Sequence, residues 1–173
     1  MDFEVQVSGF DEGQLRHLAP LAQARRAAAG KAAGVAARNP GRWVLGCDTV
    51  VVLDGAALGK PADGVEASRM LKRLSGREHA VITAVSLVGP GGHSAHGHGR
   101  SVVAIGHLSH QAIADYIATG EPLDQAGSYA IQGEAGEFAA LVSGTVDTVV
   151  GLPLHVARRL GRRLGCPALS VPG

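Results

Sequence analysis

A chain of 173 residues lies in the size range of one domain, and its 16 basic against 15 acidic side chains give a formal charge of +1, which excludes the strong basic excess of a dedicated nucleic-acid binder. Apolar residues make up 46% and aromatic residues only 3%, so the chain is neither disordered nor fibrous, and its core must be built from Val, Leu, Ile and Ala. Cys47 and Cys166 form no CxxC pair; with no basic-then-apolar leader and no window near the ~18 apolar residues of a spanning helix, a soluble cytoplasmic protein without a membrane partner is expected.

Phe3 to Val7 alternates apolar and polar residues and predicts a half-exposed strand, followed by a loop at Ser8 to Gly13 that carries Asp11 and Glu12. The alanine-rich run from Leu18 to Arg38 predicts a helix that Gly30 and Gly34 weaken and Asn39-Pro40-Gly41 stops. Trp43 to Leu53 is nearly continuous Val and Leu, the pattern of a strand buried on both faces. Asp54-Gly55 marks a turn into a short return strand through Ala57 and Leu58. Asp63 then caps a helix to Leu74 with Val65, Met70, Leu71 and Leu74 inward.

Glu78 to Val88 and Ser101 to Gly106 read as strands joined by a long glycine-rich tip holding His93, His96 and His98. Ser109 caps a helix to Ala118 that ends at Gly120. Strands around Ser128 to Ile131 and Glu137 to Val146 precede a last helix from Leu154 to Leu164. The succession predicts one α/β domain over residues 1–173, with a mixed central sheet and flanking helices.

Asp48 is the sharpest anomaly, because a carboxylate inside an apolar strand is costly unless it is paired, hydrogen-bonded or metal-bound. Residue spacing alone does not separate a working carboxylate from one that satisfies backbone donors at a bulge. Lys60, beside Pro61, is placed to reach a phosphate or the Asp48 carboxylate, although an isolated lysine is ordinarily a solvated one. Three closely spaced imidazoles at His93, His96 and His98 suit a transition metal, but they have no accompanying carboxylate or thiol and read as an exposed tip. His79 reads as structural.

The string Cys47-Asp48-Thr49-Val50-Val51-Val52-Leu53-Asp54-Gly55, then Leu58-Gly59-Lys60-Pro61, then Met70 to Gly76, resembles the Maf family of nucleoside triphosphate pyrophosphatases. Tyr116 to Asp124, Ala126 to Gly133 and Val149 to Leu154 continue the resemblance in the family's order. What it implies is a two-lobed, Maf/ITPase-like fold with a nucleotide cleft. The implied enzyme cleaves a nucleoside triphosphate between its α and β phosphates with a divalent cation, Mg²⁺ or Mn²⁺. Asp48 matches the family's catalytic aspartate, as general base or metal-linked carboxylate. Lys31 and Lys60 match phosphate-contacting lysines, Glu12 an acidic active-site residue that with Asp48 would hold the metal, and Gln132 and Thr49 residues near the nucleotide.

Asp48-Thr49 with Ile131-Gln132-Gly133 fits the subgroup that acts on dTTP and UTP. The resemblance also implies a homodimer as a common state and an association with septum formation, so the competing expectation is a non-catalytic nucleotide-binding protein that regulates cell division. Two departures stand out. The family's Ser-x-Ser-Pro-Arg-Arg loop has no counterpart here, since Phe3-Glu4-Val5 matches the segment after it, and Gln125 replaces the usual lysine.

Overall fold

The structure is a computed structural model that describes residues 3–170. Its elements are α1 (Pro20–Arg38), β1 (Val44–Leu53), β2 (Ala56–Leu58), α2 (Gly64–Leu74), β3 (Glu78–Val88), β4 (Ser94–Ile105), α3 (His110–Ala118), β5 (Ala139–Ser143), α4 (Val146–Val150), α5 (Leu154–Leu164) and α6 (Pro167–Ser170). The strands form one sheet in the order β2-β1-β3-β4-β5. An α/β chain with a central sheet and flanking helices is what the sequence predicted, and the sheet proves antiparallel. At the β1–β2 turn, Asp54 (φ 52) and Gly55 (φ 78) both take the left-handed conformation that a two-residue hairpin requires.

The chain gathers into two compact units, residues 1–48, 83–99 and 151–173 in the first and residues 49–82 and 100–150 in the second. In the first, the amphipathic α5 buries Val156 and Leu160 with Val85, Leu87, Ala95 and Cys166. In the second, Leu71 and Leu74 of α2 are fully buried with Val51, Leu53, Val81, Val103, Ile113 and Tyr116. Each such leucine contributes about 1.5–3 kcal/mol through burial.

Several elements differ from the sequence prediction. Phe3, Val5 and Val7 are exposed and belong to no strand. Their alternation has no partner strand among the described residues, and the segment is tied down by side chains instead: Arg38 donates to the carbonyls of Val7 and Ser8, and Gln6 and Asn39 exchange amide bonds. Pro20 at the first turn sets the start of α1, two residues later than predicted. Val65 is exposed, and Ala67 takes the inward place in α2. Residues 128–131 form no strand: Ser128 closes a 3₁₀ turn, Tyr129 and Ala130 are irregular and Ile131 enters the next turn, because Gly127 (φ 71) and Ser128 (φ 64) are left-handed.

The β3–β4 tip is only Gly89 to His93, so His96 and His98 lie on β4. Ala95 is buried there and Gly97 faces Val156 so closely that a Cβ would approach its Cγ1 to 2.7 Å. His93 packs edge-on against Trp43 and His98 Nδ1 lies 3.3 Å from Arg25 Nη2. No group of three or more metal-ligating side chains occurs among the described residues. No helix among them is long and apolar enough to cross a membrane.

His79 is buried, with Nε2 at 2.7 Å from the Tyr129 hydroxyl and Nδ1 without a partner. Burial pushes the imidazole down to about 4. A histidine whose folded value lies below its unfolded one contributes stability that is present above about pH 6.5 and lost as pH falls toward 4. The loss expected across that window is on the order of 2–3 kcal/mol. Melting temperature followed against pH should show a shallower acid slope in His79→Gln than in wild type; parallel slopes would contradict the assignment.

Candidate functional site

The first unit brings three of the sequence-predicted residues together. Lys31 Nζ lies 2.6 Å from Glu12 Oε1 and 2.7 Å from Asp48 Oδ1. The local sequence explains why. In α1 the buried residues Ala24, Ala27, Ala28 and Ala32 define one stripe, and Lys31 lies four positions after Ala27 and seven after Ala24, so it leaves the helix on the packed side. Small side chains let the helix approach β1 closely: a Cβ on Gly46 would come within 2.5 Å of the Ala28 carbonyl oxygen and 2.8 Å of the Ala32 amide nitrogen. Two residues along the strand, Asp48 points to the same side as Gly46 and meets the ammonium.

Glu12 arrives from a structured loop. The Asp11 carboxylate accepts from the Gly13 amide at 2.9 Å, and Leu15 is buried one turn later. Phe10 lies across α1 at Gly30, where a Cβ would fall 2.2 Å from the ring, and the Ser8 carbonyl passes Gly34 at a distance, 3.5 Å from a Cβ, that a side chain would also tolerate. Of the two glycines that weaken α1 intrinsically, Gly30 is thus the place where the Glu12 loop seats. Gly30→Ala should displace Phe10 and lower stability by about 1–3 kcal/mol. Gly46→Ala should do so at least as strongly, since backbone rather than a mobile ring stands in the way. Chemical denaturation checks both, and Ala variants as stable as wild type would contradict this packing.

The electrostatics follow from that geometry. Side-chain exposure is 9% for Asp48, 26% for Lys31 and 54% for Glu12. Burial holds the Asp48 carboxyl above its ordinary value, Lys31 pulls it down, and the like charge of Glu12 adds to the rise. Burial lowers the Lys31 ammonium, but the bonds from Asp48 and Glu12 outweigh it and the net direction is up. Both directions rise because Asp48 bears most of the desolvation while Lys31 has two anions. The ammonium therefore stays charged, and Asp48 is a carboxylate of raised basicity, suited to accept a proton from water. Cys47, next to it, is pushed up to about 11 by burial and is no nucleophile.

Two carboxylates focused on one cationic position are the donor set that Mg²⁺ or Mn²⁺ takes when phosphate oxygens and water complete its shell. Glu12 and Asp48 would hold such an ion, which when bound would neutralise phosphate charge. Lys31 occupies the same focus.

Thr49, Lys60 and Gln132 belong to the second unit. Lys60 Nζ pairs with Asp124 Oδ1 at 2.6 Å, and both side chains are exposed. Gln132 is exposed in a turn, and its amide makes no hydrogen bond among the described residues. In the sequence Asp11 reads only as a loop residue and Asp124 only as the end of a matched string, and Phe10 and Gly46 read as no part of a site. Only Gly46 carried a signal, as a glycine two residues before a buried carboxylate in a strand.

Fold and site define a class: an α/β protein in which a lysine bridges a pair of carboxylates. A family model described as Maf-like protein matches residues 1–164. The chain belongs to the Maf family. It is similar to a protein of Symbiobacterium thermophilum named dTTP/UTP pyrophosphatase, 46% identical over 168 residues that cover 97% of this chain and 86% of the relative. A protein of the same name from Shewanella denitrificans is 48% identical over 160 residues, covering 90% and 80%. Another from Moorella thermoacetica is 46% identical over 155 residues, covering 89% and 80%.

Proposed function

We propose that this protein is a nucleoside triphosphate pyrophosphatase that hydrolyses dTTP and UTP to the monophosphate and pyrophosphate, using Mg²⁺ or Mn²⁺ held by Glu12 and Asp48. The observation that carries the reading is the Glu12–Lys31–Asp48 cluster, with its raised carboxylate, in a chain 46–48% identical to proteins named for that activity. Asp48 takes a proton from water, and the water oxygen bonds to the α-phosphorus. The α–β anhydride bond breaks and its electron pair leaves on pyrophosphate. Lys31 offsets the growing negative charge, a donor effect worth about 10²–10³ in rate at comparable sites. The family resemblance assigns Lys60 a phosphate contact and gives Thr49 and Gln132 a part in binding the nucleotide. The enzyme works in the cytoplasm.

Purified protein with Mg²⁺ or Mn²⁺ should release pyrophosphate from dTTP and UTP faster than from ATP, GTP or CTP. Binding of dTTP or UTP in calorimetry without any pyrophosphate release would sink the catalytic reading.

A further inference from the structure

Gln132 needs something to hold it, because an exposed carboxamide with no hydrogen bond reads a partner only if its backbone is fixed. The structure supplies a holder from outside the turn. Tyr116 of α3 is buried, and its hydroxyl donates to Glu121 Oε1 at 2.7 Å while accepting from the Ala130 amide at 3.2 Å. The other oxygen of the same carboxylate, Glu121 Oε2, accepts from the Glu134 amide at 3.1 Å. Gly133 donates to the Ala130 carbonyl at 2.9 Å and closes the turn. One Tyr–Glu pair therefore grips the turn before and after Gln132.

We propose that Tyr116 and Glu121 form a clasp that fixes the presentation of Gln132 and so sets which nucleotide base the protein accepts, an inference that rests on the pyrophosphatase reading above. The fit at Gly133 supports it. A Cβ there would lie 2.2 Å from Glu121 Oε2 and 2.5 Å from Cδ and Oε1, so the carboxylate occupies the space where a side chain would start and would have to swing out of the clasp to admit one. Burial works to raise the Glu121 carboxyl, but the bonds from Tyr116 and from the Glu134 and Ala135 amides hold it below the ordinary value. It is thus charged and its bonds are charge-assisted, the stronger kind.

The far end of the loop is anchored as well. Gly127 donates to the Gly59 carbonyl at 3.0 Å, Ser128 donates to Met70 Sδ at 3.2 Å, and Tyr129 meets His79. Ser128 keeps a left-handed backbone (φ 64), a conformation costing on the order of 1 kcal/mol or more that persists only where surroundings enforce it. Tyr116 and Glu121 are positioning residues here. The donor and acceptor of the held amide match the N3–H and O4 edge that thymine and uracil share.

The test uses the full chain with Mg²⁺ and compares wild type, Tyr116→Phe, Glu121→Gln, Gln132→Ala and the Glu121→Gln/Gln132→Ala pair. In Glu121→Gln the ratio of kcat/KM for dTTP over GTP should fall about tenfold or more, chiefly through KM, as a misplaced contact does. Tyr116→Phe, which removes only a hydroxyl, should move it the same way by less and serves where Glu121→Gln does not fold. With Gln132 already alanine, Glu121→Gln should change selectivity by under about twofold, the non-additivity of two residues acting through one group. Unchanged selectivity, or effects that multiply in the double variant, would overturn the clasp while leaving the pyrophosphatase reading intact. Failure of that reading shows in wild type alone, and amide exchange then decides the clasp: faster exchange at residues 132–135 in Tyr116→Phe or Glu121→Gln upholds it, and unchanged exchange overturns it.

Discussion

Asp48→Asn should lower kcat for dTTP by about 10²–10⁴ while leaving nucleotide binding in place, the range that loss of a positioned general base produces. Asparagine is nearly isosteric, so packing in β1 is preserved. The substitution also removes a charge that burial opposes, and Lys31 keeps Glu12 as a partner. Stability should therefore hold within about 1 kcal/mol or rise. Rate and stability diverge only if Asp48 is a working carboxylate. A merely structural aspartate would give the reverse, a less stable protein with unaltered turnover. Stopped-time pyrophosphate assays and urea denaturation on the same preparation separate the outcomes.

Lys31→Ala is expected to harm both properties. It strands Asp48, whose side chain is only 9% exposed, beside the Glu12 carboxylate with no compensating cation. Breaking a fully buried pair costs about 3–5 kcal/mol. Here Lys31 is about a quarter exposed and Glu12 about half, so solvent screening reduces the expected loss to roughly 1–3 kcal/mol. Turnover should fall about 10²-fold or more through loss of charge stabilisation. Adding Asp48→Asn to Lys31→Ala should restore part of the lost stability, because the stranded charge is gone. Additive destabilisation in the double variant would contradict the coupling drawn here.

The site was unevenly legible in the sequence, for physical reasons. Asp48 stood out because its neighbours are Val, Leu and Cys, and a carboxylate among them demands an explanation. Lys31 did not, because α1 carries alanine on every face and its buried stripe cannot be told from its solvated side by residue type; the resemblance alone singled it out. Glu12 was visible only in the same way, since what seats its loop is the contact of Phe10 with Gly30, a pairing twenty residues apart with no local signature. Gln132 was marked by resemblance, whereas Glu121, whose carboxylate lies against Gly133, had no sequence signal of its own.

The elements show the same limits. Periodicity placed β1, α2, β3, α3 and α5 closely, because each has a continuous apolar face. Alternation at Phe3 to Val7 failed because it reports what a strand would bury, not whether a neighbour exists to pair with it. Ser128 to Ile131 was misread from the strand propensity of Tyr129 and Ile131, which is blind to the left-handed backbone at Gly127 and Ser128. β4 begins earlier than predicted because glycine stands at an inward place where Val156 fills the space.

The central claim is that the Glu12–Lys31–Asp48 cluster directs water to the α-phosphorus of a pyrimidine triphosphate. The most direct measurement is hydrolysis of dTTP with Mg²⁺ in water labelled with heavy oxygen, with products resolved by mass spectrometry. The account predicts equal amounts of dTMP and pyrophosphate, the label in dTMP alone, and near-complete loss of both products in Asp48→Asn. Formation of dTDP and orthophosphate, label in the pyrophosphate, or undiminished turnover in Asp48→Asn would contradict it.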